Sequence, residues 1–184
     1  MLVLHAARKS WRRESSGPSP RKVPVTVAQI SALMDDSTIL GIYKAISLFA
    51  FETLARLAEV FSIRVKDVKQ GSYCVTFALN RAKTDPFGVE SQCLSLSTST
   101  WTRVTRLLGG LPSAGLIFNI SRRSYVKWLS EYFSGGITGH SMRRGGAQAM
   151  YNRGFPIADI QAKGRWKSQA WLRYVDQAER QVVL

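Results

Sequence analysis

The sequence predicts an α+β fold that is mainly α-helical with a small antiparallel β-sheet or hairpin. Apolar residues recur at helical spacing through most of the chain, which is typical of helices that bury one face. Only residues 72–79 and 89–96 have the composition of strands, and the segment between them contains Asp85, Pro86 and Gly88, which favour a turn. One β-hairpin among several helices is therefore expected.

The composition indicates which kind of partner the protein binds. A chain of 184 residues is long enough for one domain with a hydrophobic core. Its 26 Lys and Arg residues against 12 Asp and Glu give a formal net charge of +14, which is typical of proteins that bind a polyanion, most often nucleic acid. Charge alone leaves a basic ribosomal or chromatin protein without catalytic activity as an equal alternative.

Cysteine usage and hydropathy indicate the compartment. Cys74 and Cys93 form neither a disulfide framework nor a zinc-site spacing, and both fall in apolar strand-like runs, so we predict buried free thiols in a reducing compartment. No apolar run reaches the ~20 residues of a membrane span. The apolar start at residues 1–4 is too short for a secretory signal. We expect a soluble, intracellular protein.

Residues 1–24 are expected to form a basic, largely unstructured arm or linker remnant. Their Lys and Arg residues face a single acidic residue, Glu14, and Gly17 and several prolines interrupt any helix. Such an arm can contact phosphates, serve as a nuclear import signal, or be a solvated tail with no specific role. The catalytic domain is expected to occupy residues 25–184.

Four helical segments are expected before the C-terminal stretch. Thr26 and Gln29 predict a capping box at the start of a short helix. Residues 39–60 form one long buried helix or two adjoining helices, because Leu, Ile, Phe and Ala recur there at helical spacing. Further helices are expected over 100–108 and over 121–133, where the first residue is a serine suited to an N-cap.

The C-terminal stretch from Gly139 to Tyr174 is divided into three short helical pieces. Gly154, Pro156 and Gly164 mark the divisions, since glycine favours a helix end and proline a helix start. The stretch carries an imidazole, two guanidiniums, an indole and a phenol, so several side chains that can bind or react with an anion lie close together in the sequence.

Three residues of that stretch outline a phosphoryl-transfer site. His140 and Arg143 are three residues apart, so both can point from one face of a helical turn at one anionic group. Arginine presents a planar fork of donors that matches phosphate oxygens. Tyr174 is a nucleophile if its hydroxyl faces the same anion.

Two further charged sites are ambiguous when taken alone. Arg56 and Glu59 lie at the end of an apolar helical run, and burial of charge is costly, so the pair is either a surface ion pair or an arginine that a carboxylate orients towards a phosphate. Lys83 lies near the tip of the hairpin, where a lysine is usually only solvated.

Taken together, these residues resemble the catalytic set of the tyrosine recombinase (phage integrase) family. The residues that carry the resemblance come in the family's order: Arg56, Lys83, His140, Arg143, Trp166 and Tyr174. The matching motifs are Ala55-Arg56-Leu57-Ala58-Glu59, Lys83-Thr84-Asp85, Gly139-His140-Ser141-Met142-Arg143-Arg144-Gly145-Gly146-Ala147 and Gly164-Arg165-Trp166-Lys167-Ser168. The resemblance covers nearly the whole chain from about Thr26 onward. The residues within these motifs are similar to those of recombinases of eukaryotic mobile elements.

The resemblance implies a tyrosine-recombinase catalytic-domain fold and a covalent mechanism. Tyr174 would attack a DNA phosphodiester and form a 3′-phosphotyrosine, leaving a free 5′-hydroxyl. Arg56 and Arg143 would bind the non-bridging oxygens, whose charge grows in the transition state. Glu59 matches the acidic residue that orients the first arginine.

The resemblance also implies roles for the remaining residues. His140 would act as a base or as a further phosphate donor, Lys83 would protonate the leaving 5′-oxygen, and Trp166 would donate its indole N–H. We also expect DNA contacts from basic residues in or beside the motifs: Arg81, Arg144, Arg165 and Lys167. Strand rejoining would need no metal and no cofactor, and the sequence contains neither a P-loop nor an HExxH motif.

Some of these residues have simpler interpretations. His140 can instead be a core histidine, and Trp166 and Trp171 can be core aromatics, which for Trp171 is the expected role. Tyr151 competes with Tyr174 as the nucleophile, but Tyr174 follows Trp166, as the family pattern requires.

The predicted function is site-specific DNA cleavage and rejoining on double-stranded DNA. The alternatives are a type IB topoisomerase-like enzyme and a DNA-binding fragment without catalytic activity. Self-association into the family's synaptic tetramer is expected on DNA, a monomer is an open alternative in isolation, and no membrane partner is expected. The family's separate N-terminal clamp domain is expected to be absent, and the protein is expected with DNA, in the nucleus if eukaryotic and otherwise in the cytoplasm or nucleoid.

Overall fold

The computed structural model describes residues 23–79 and 92–175 and has the predicted α+β architecture. The α-helices within these ranges are α1 Val27–Asp35, α2 Gly41–Thr53, α3 Leu57–Val60, α4 Thr98–Leu107, α5 Arg122–Tyr132, α6 Ser141–Asn152 and α7 Ile157–Gly164. Two 3₁₀ helices are described as well, at Val65–Asp67 and Gln169–Arg173. The antiparallel sheet has the order β1-β2-β3 and consists of β1 Val68–Gln70, β2 Cys74–Leu79 and β3 Gln92–Ser97. The predicted fold class is confirmed.

Local capping signals placed the helix starts correctly. The Gln29 amide donates to Thr26 Oγ1 at 3.1 Å and the Thr26 amide donates to Gln29 Oε1 at 2.9 Å, which is the predicted capping box. Ser121 Oγ likewise accepts from the Ser124 amide at 3.0 Å at the start of α5. The last helical piece is a 3₁₀ helix rather than an α-helix, and Tyr174 follows its final residue instead of lying within it.

The apolar run at 39–60 forms two helices, α2 and α3. Helix α2 ends because Leu54 adopts a left-handed backbone conformation with φ of 51°, and Arg56 then precedes α3 as its N-cap residue. This break, which apolar periodicity does not reveal, places Arg56 at a bend between two buried helices.

The sheet corrects the prediction for the cysteines. Strand β2 pairs with β3 from Cys74↔Ser97 to Leu79↔Gln92, and both Cys74 and Cys93 are free and exposed rather than buried. Successive side chains of a strand face opposite sides, and the side that faces the core carries Val75, Phe77, Leu94 and Leu96. Strand β1 was not predicted. The connection between β2 and β3, with Lys83, lies outside the described residues.

Helix α6 lies unusually close to two other segments. A Cβ added at Gly145 would overlap the carbonyl oxygen of Val25, and one added at Gly146 would overlap that of Phe51 at the end of α2. Gly145 therefore lets the α6 backbone approach the segment that precedes α1, and Gly146 lets it approach the end of α2. This close packing sets the depth at which Arg143, on the same helix, is buried.

The core has two clusters. The larger one joins α1, α2, α4, α5 and the sheet, and the smaller one consists of Leu54, Ala147, Tyr151, Ile160, Trp171 and Val175 with Met150, Trp166 and Tyr174 packed against it. Trp171 is buried, as predicted for a core aromatic, and so is Tyr151. Within residues 23–79 and 92–175, no helix has both the length and the apolar character that crossing a membrane requires.

Candidate active site

Arg56 is held at the N-terminus of α3 by the carboxylate of Glu59. Its Nη1 donates to Glu59 Oε1 at 2.6 Å and its backbone amide donates to Glu59 Oε2 at 2.7 Å. The Arg56 side chain is 22% exposed whereas that of Glu59 is 6% exposed. Of the two earlier interpretations, the geometry therefore fits an arginine oriented by a buried carboxylate, with an edge of its guanidinium open to solvent.

Glu59 has a second arginine partner that the sequence did not suggest. Arg165 Nη2 donates to Glu59 Oε2 at 2.6 Å, and the Arg165 side chain is 10% exposed. Burial lowers the pKa of Arg165, while the nearby Glu59 carboxylate acts in the opposite direction. The side chain expected to contact DNA is thus turned inward.

The backbone of Arg165 is also unusual. It is the C-cap residue of α7 and adopts the left-handed conformation, with φ of 55° and ψ of 43°. This conformation costs about 1 kcal/mol for a residue with a Cβ. Gly164, predicted to end this helix, does not take it. Gly164 is required for another reason, because a Cβ there would overlap the indole ring of Trp166.

Arg143 lies in the interior beneath the aromatic rings. It is 1% exposed, and its Nη1 and Nη2 donate at 2.5 Å to the carbonyl oxygens of Leu54 and Gly164 respectively. Its Nε is buried and has no hydrogen-bond partner within the described ranges. Burial, and then the positive charges of Arg56 and Arg165, lower the pKa of Arg143 to about 10. The guanidinium stays charged at neutral pH.

The rings of Trp166 and Tyr174 cover Arg143. The two ring centroids are 4.8 Å apart, and the Arg143 guanidinium carbon lies 4.5 Å from the centroid of Trp166 and 5.5 Å from that of Tyr174. Arg144 lies on Tyr174 as well, 6.0 Å from the ring centroid, and its Nη2 donates to the carbonyl oxygen of Arg173. A cation near an aromatic face is attracted by the ring quadrupole, so the phenol ring is fixed between positive charges.

Tyr174 reaches the surface at the junction of two clefts. The larger cleft, of about 540 Å³, is lined by Tyr174, His140, Arg56, Arg122, Leu57, Ala58, Val126 and Gly139. The smaller one, of about 230 Å³, is lined by Tyr174, His140, Arg144 and Arg173. His140 is exposed and precedes α6 as its N-cap residue. The phenol, the imidazole and the Arg56 guanidinium therefore share one basic cleft.

The structure brings together most of the predicted site. Tyr174, His140 and Arg56 line one cleft, Trp166 and Arg143 form the layer behind it, and Lys167 is exposed beside Trp166. His140 and Arg143 do not face one side as predicted, because Arg143 points inward. Lys83 and Arg81 lie outside the described residues.

The sequence did not predict that Arg122 belongs to the site, and it did not predict that Arg165 pairs with Glu59. Arg122 lines the cleft from the first turn of α5, where the helical pattern shows only that it faces outward. Arg165 is separated from Glu59 by 106 positions, so no local signal could have paired them. In the part of the chain that the structure describes, no group of three or more His, Cys, Asp or Glu side chains is placed to hold a metal ion.

The helices and the small sheet have the arrangement of the tyrosine-recombinase catalytic domain, so the chain has the fold of that class of protein. No protein-family model matches the sequence, and no curated protein sequence matches it. The likeness is to solved structures, at 10–15% sequence identity.

Three solved structures illustrate the likeness. The XerA recombinase has a TM-score of 0.67 at 14% identity over 90% of this chain and 63% of its own. The XerH site-specific recombinase bound to its difH substrate, a pre-cleavage complex, has a TM-score of 0.62 at 10% identity. The match covers 88% of this chain and 52% of the XerH chain. A lambda integrase dimer bound to a COC′ core site has a TM-score of 0.62 at 15% identity. The match covers 91% of this chain and 51% of the lambda integrase chain. This chain thus spans between about half and two thirds of the chains that it resembles.

Proposed function

We propose that this chain is the catalytic domain of a tyrosine recombinase that cleaves and rejoins double-stranded DNA through Tyr174. The observation that carries the proposal is the shared cleft, in which the Tyr174 phenol, His140 and the Arg56 guanidinium surround one space. Similar solved structures of recombinases bound to DNA support the proposal.

The proposed step exchanges one phosphate ester for another. The Tyr174 hydroxyl oxygen attacks phosphorus, the bond from phosphorus to the 5′-oxygen breaks, and a 3′-phosphotyrosine forms. The phenol proton passes to His140 or through it to solvent, and the leaving 5′-oxygen takes a proton from Lys83. Because the new ester keeps the energy of the broken bond, attack by a 5′-hydroxyl rejoins DNA without another source of energy.

The positive charges of the cleft provide the electrostatic part of the mechanism. Arg56 is fixed by Glu59 and presents its open edge to the cleft, where it can donate to a non-bridging phosphate oxygen. Arg122 adds a second cation to the same wall. Arg143 contributes its charge from behind the rings of Trp166 and Tyr174, and contact with the phosphate requires these rings to move aside.

The position of Arg143 favours a second candidate function, which is DNA binding without cleavage. Both of its terminal nitrogens donate to backbone carbonyls, so neither is directed at the cleft. A protein in which this arrangement persists on DNA would bind phosphates and leave them intact.

Covalent trapping distinguishes the two functions. The full chain is incubated with a pool of labelled duplexes of randomised sequence, each with a nick that lets the cleaved 5′-hydroxyl fragment diffuse away. Denaturing gels should show a labelled protein adduct that Tyr174→Phe does not form, whereas Tyr151→Phe still forms it because Tyr151 is buried in the core. A shift on native gels without any adduct supports the binding function. Relaxation of supercoiled DNA without strand exchange supports a topoisomerase.

The proposal extends to assembly, origin and location. We infer self-association on paired DNA sites, a mobile genetic element as the origin, and residence with DNA, in the nucleus if the source is eukaryotic. The lambda integrase and Tn1549 transposon integrase structures, a dimer and a complex with circular intermediate DNA, support the first two points. Mass photometry with and without the trapped duplexes measures the assembly.

A further inference from the structure

Arg165 occupies a backbone position that favours glycine. The left-handed C-cap conformation at the end of a helix is usually taken by glycine, because a Cβ is strained there. Here the glycine is one residue earlier and serves the packing of Trp166. An arginine in this conformation persists only where its surroundings hold it.

The surroundings that hold Arg165 are the buried partners of its side chain. Nη2 donates to Glu59 Oε2 at 2.6 Å and Nη1 donates to the Lys163 carbonyl oxygen at 3.1 Å. The Nε of Arg165 is buried and has no partner within the described ranges, so the guanidinium is directed by Glu59 rather than by solvent. A side chain that is 10% exposed and paired in this way is a poor candidate for a DNA contact.

Glu59 links Arg165 to Arg56. Its Oε1 accepts from the Arg56 side chain, and its Oε2 accepts from both the Arg56 amide and Arg165. Removing Arg165 leaves an oxygen of a buried carboxylate without its charged partner. The carboxylate can then rotate or draw the Arg56 guanidinium deeper, away from the cleft.

The same short segment positions the nucleophile. Gly164, Arg165 and Trp166 are consecutive: the Gly164 carbonyl accepts from Arg143, Arg165 holds Glu59, and Trp166 packs on Tyr174. The end of α7 therefore contacts both the phenol side and the Arg56 side of the cleft.

We infer that Arg165 is a positioning residue that, through Glu59, sets the Arg56 guanidinium relative to Tyr174 and does not itself bind DNA. The inference rests on the proposed function and deepens it, since it identifies the contact that aligns the phosphate-binding arginine with the nucleophile. It predicts that Arg165 affects the rate of cleavage and not the affinity for DNA.

Arg165→Gly is the decisive variant because glycine suits the left-handed backbone and removes only the side chain. Single-turnover cleavage of the nicked duplex pool at saturating protein should slow by roughly 10- to 100-fold, as expected for a displaced catalytic group, with duplex affinity unchanged. Arg165→Lys keeps a cation near Glu59 and should recover part of the rate. Arg106→Ala, which removes an exposed cation from α4, is the charge-matched control and should cleave like the unmodified chain.

A double-mutant cycle tests the route through Glu59. If Arg165 acts through that carboxylate, Arg165→Gly combined with Glu59→Gln should be no slower than the slower single variant. Additive losses, equal losses of affinity and rate, or normal cleavage by Arg165→Gly would each overturn the inference. Circular dichroism at the assay temperature checks folding, and if Arg165→Gly is unfolded the Arg165→Lys and Glu59→Gln pair completes the cycle.

A measurement without cleavage separates this inference from the proposed function. If the unmodified chain forms no adduct, the proposed function fails, whereas Arg165 can still be tested by modification of Arg56 with phenylglyoxal, followed by peptide mass spectrometry. The reaction rate of Arg56 should differ between Arg165→Gly and the unmodified chain, because its carboxylate partner has moved. An identical rate in both folded proteins overturns the inference.

Discussion

Arg143 shows how one residue combines charge and packing. It is among the largest fully buried side chains of the described residues, yet it carries a full positive charge. Two backbone carbonyls accept its terminal N–H groups, and the Trp166 ring lies 4.5 Å from the guanidinium carbon. Burial of a charge is tolerated when donors are paired in this way. Arg143 therefore connects the bend after α2 to the end of α7 through hydrogen bonds. Its charge also keeps the electrostatic potential beneath the Tyr174 phenol positive.

Substitution Arg143→Ala should abolish cleavage while leaving most non-specific duplex binding. The expected rate loss is at least about 1,000-fold, because a charge that stabilises the transition state is removed. The Leu54 and Gly164 carbonyls also lose their donor, so the free energy of unfolding should fall by about 3 kcal/mol. Single-turnover cleavage, filter binding and urea unfolding measure the three quantities.

The result for Arg143 is interpreted against Arg103→Ala, an exposed position on α4 that removes the same charge. Equal losses of affinity and cleavage in Arg143→Ala would contradict a role in the transition state and would indicate a DNA contact or general unfolding.

Helix α6 is positioned by its glycines. Gly145 faces the Val25 carbonyl and Gly146 faces the Phe51 carbonyl, so the helix lies where a side chain would not fit. Helix α2 is continuous with the bend that carries Arg56, and α6 carries Arg143 and begins after His140. The close approach of two helices thus sets the relative depth of three site residues.

Gly146→Ala should destabilise the protein although alanine is the better helix former. Overpacking of a tight interface costs about 2 kcal/mol net, even after the gain of about 1 kcal/mol in helix propensity. The free energy of unfolding in urea measures the change. The control is Gly154→Ala, where φ is 78° and an added Cβ meets nothing within 4 Å, so only the backbone cost of about 1 kcal/mol is expected. An unchanged or increased stability of Gly146→Ala would show that α6 can move away from α2.

The whole molecule carries a formal charge of +14, and its candidate active site lies in a basic cleft. Phosphate contacts by Lys and Arg release counterions, so affinity for DNA depends on the salt concentration. Under the proposed function the cleft would contribute Arg56 and Arg122 to this effect, whereas Arg143 and Arg165 are directed inward. Binding and alignment for cleavage would then be supplied by different arginines.

Duplex affinity should fall by about 1,000-fold between 50 and 200 mM salt, which corresponds to about six phosphate contacts. Arg122→Gln should reduce the slope of log affinity against log salt by about 1, since it removes one contact. Tyr174→Phe should leave the slope unchanged. Fluorescence anisotropy on a labelled duplex measures the slopes, and an unchanged slope for Arg122→Gln would place Arg122 away from the DNA backbone.

Elements whose sequence signals involve residues close in the chain were predicted correctly, whereas features that depend on distant residues were not. The capping box at Thr26 and the N-cap at Ser121 depend on neighbours three residues away, and both were predicted correctly. Strand β1 was missed because its three residues are a strand only through pairing with β2. The burial of Cys74 and Cys93 was wrong because composition does not show which face of a strand meets the core.

Sequence patterns alone were sufficient to predict the fold class, the order of the site motifs and the residue types of the proposed phosphate site. The catalytic roles of all six predicted residues stay predictions: Tyr174, Arg56, Lys83, His140, Arg143 and Trp166. The pairing of the charges depends on tertiary packing, which joins Arg165 to Glu59 across 106 positions and Arg143 to Leu54 across 89. These contacts depend on the depth and angle at which α2, α6 and α7 pack, and local sequence patterns do not contain that geometry.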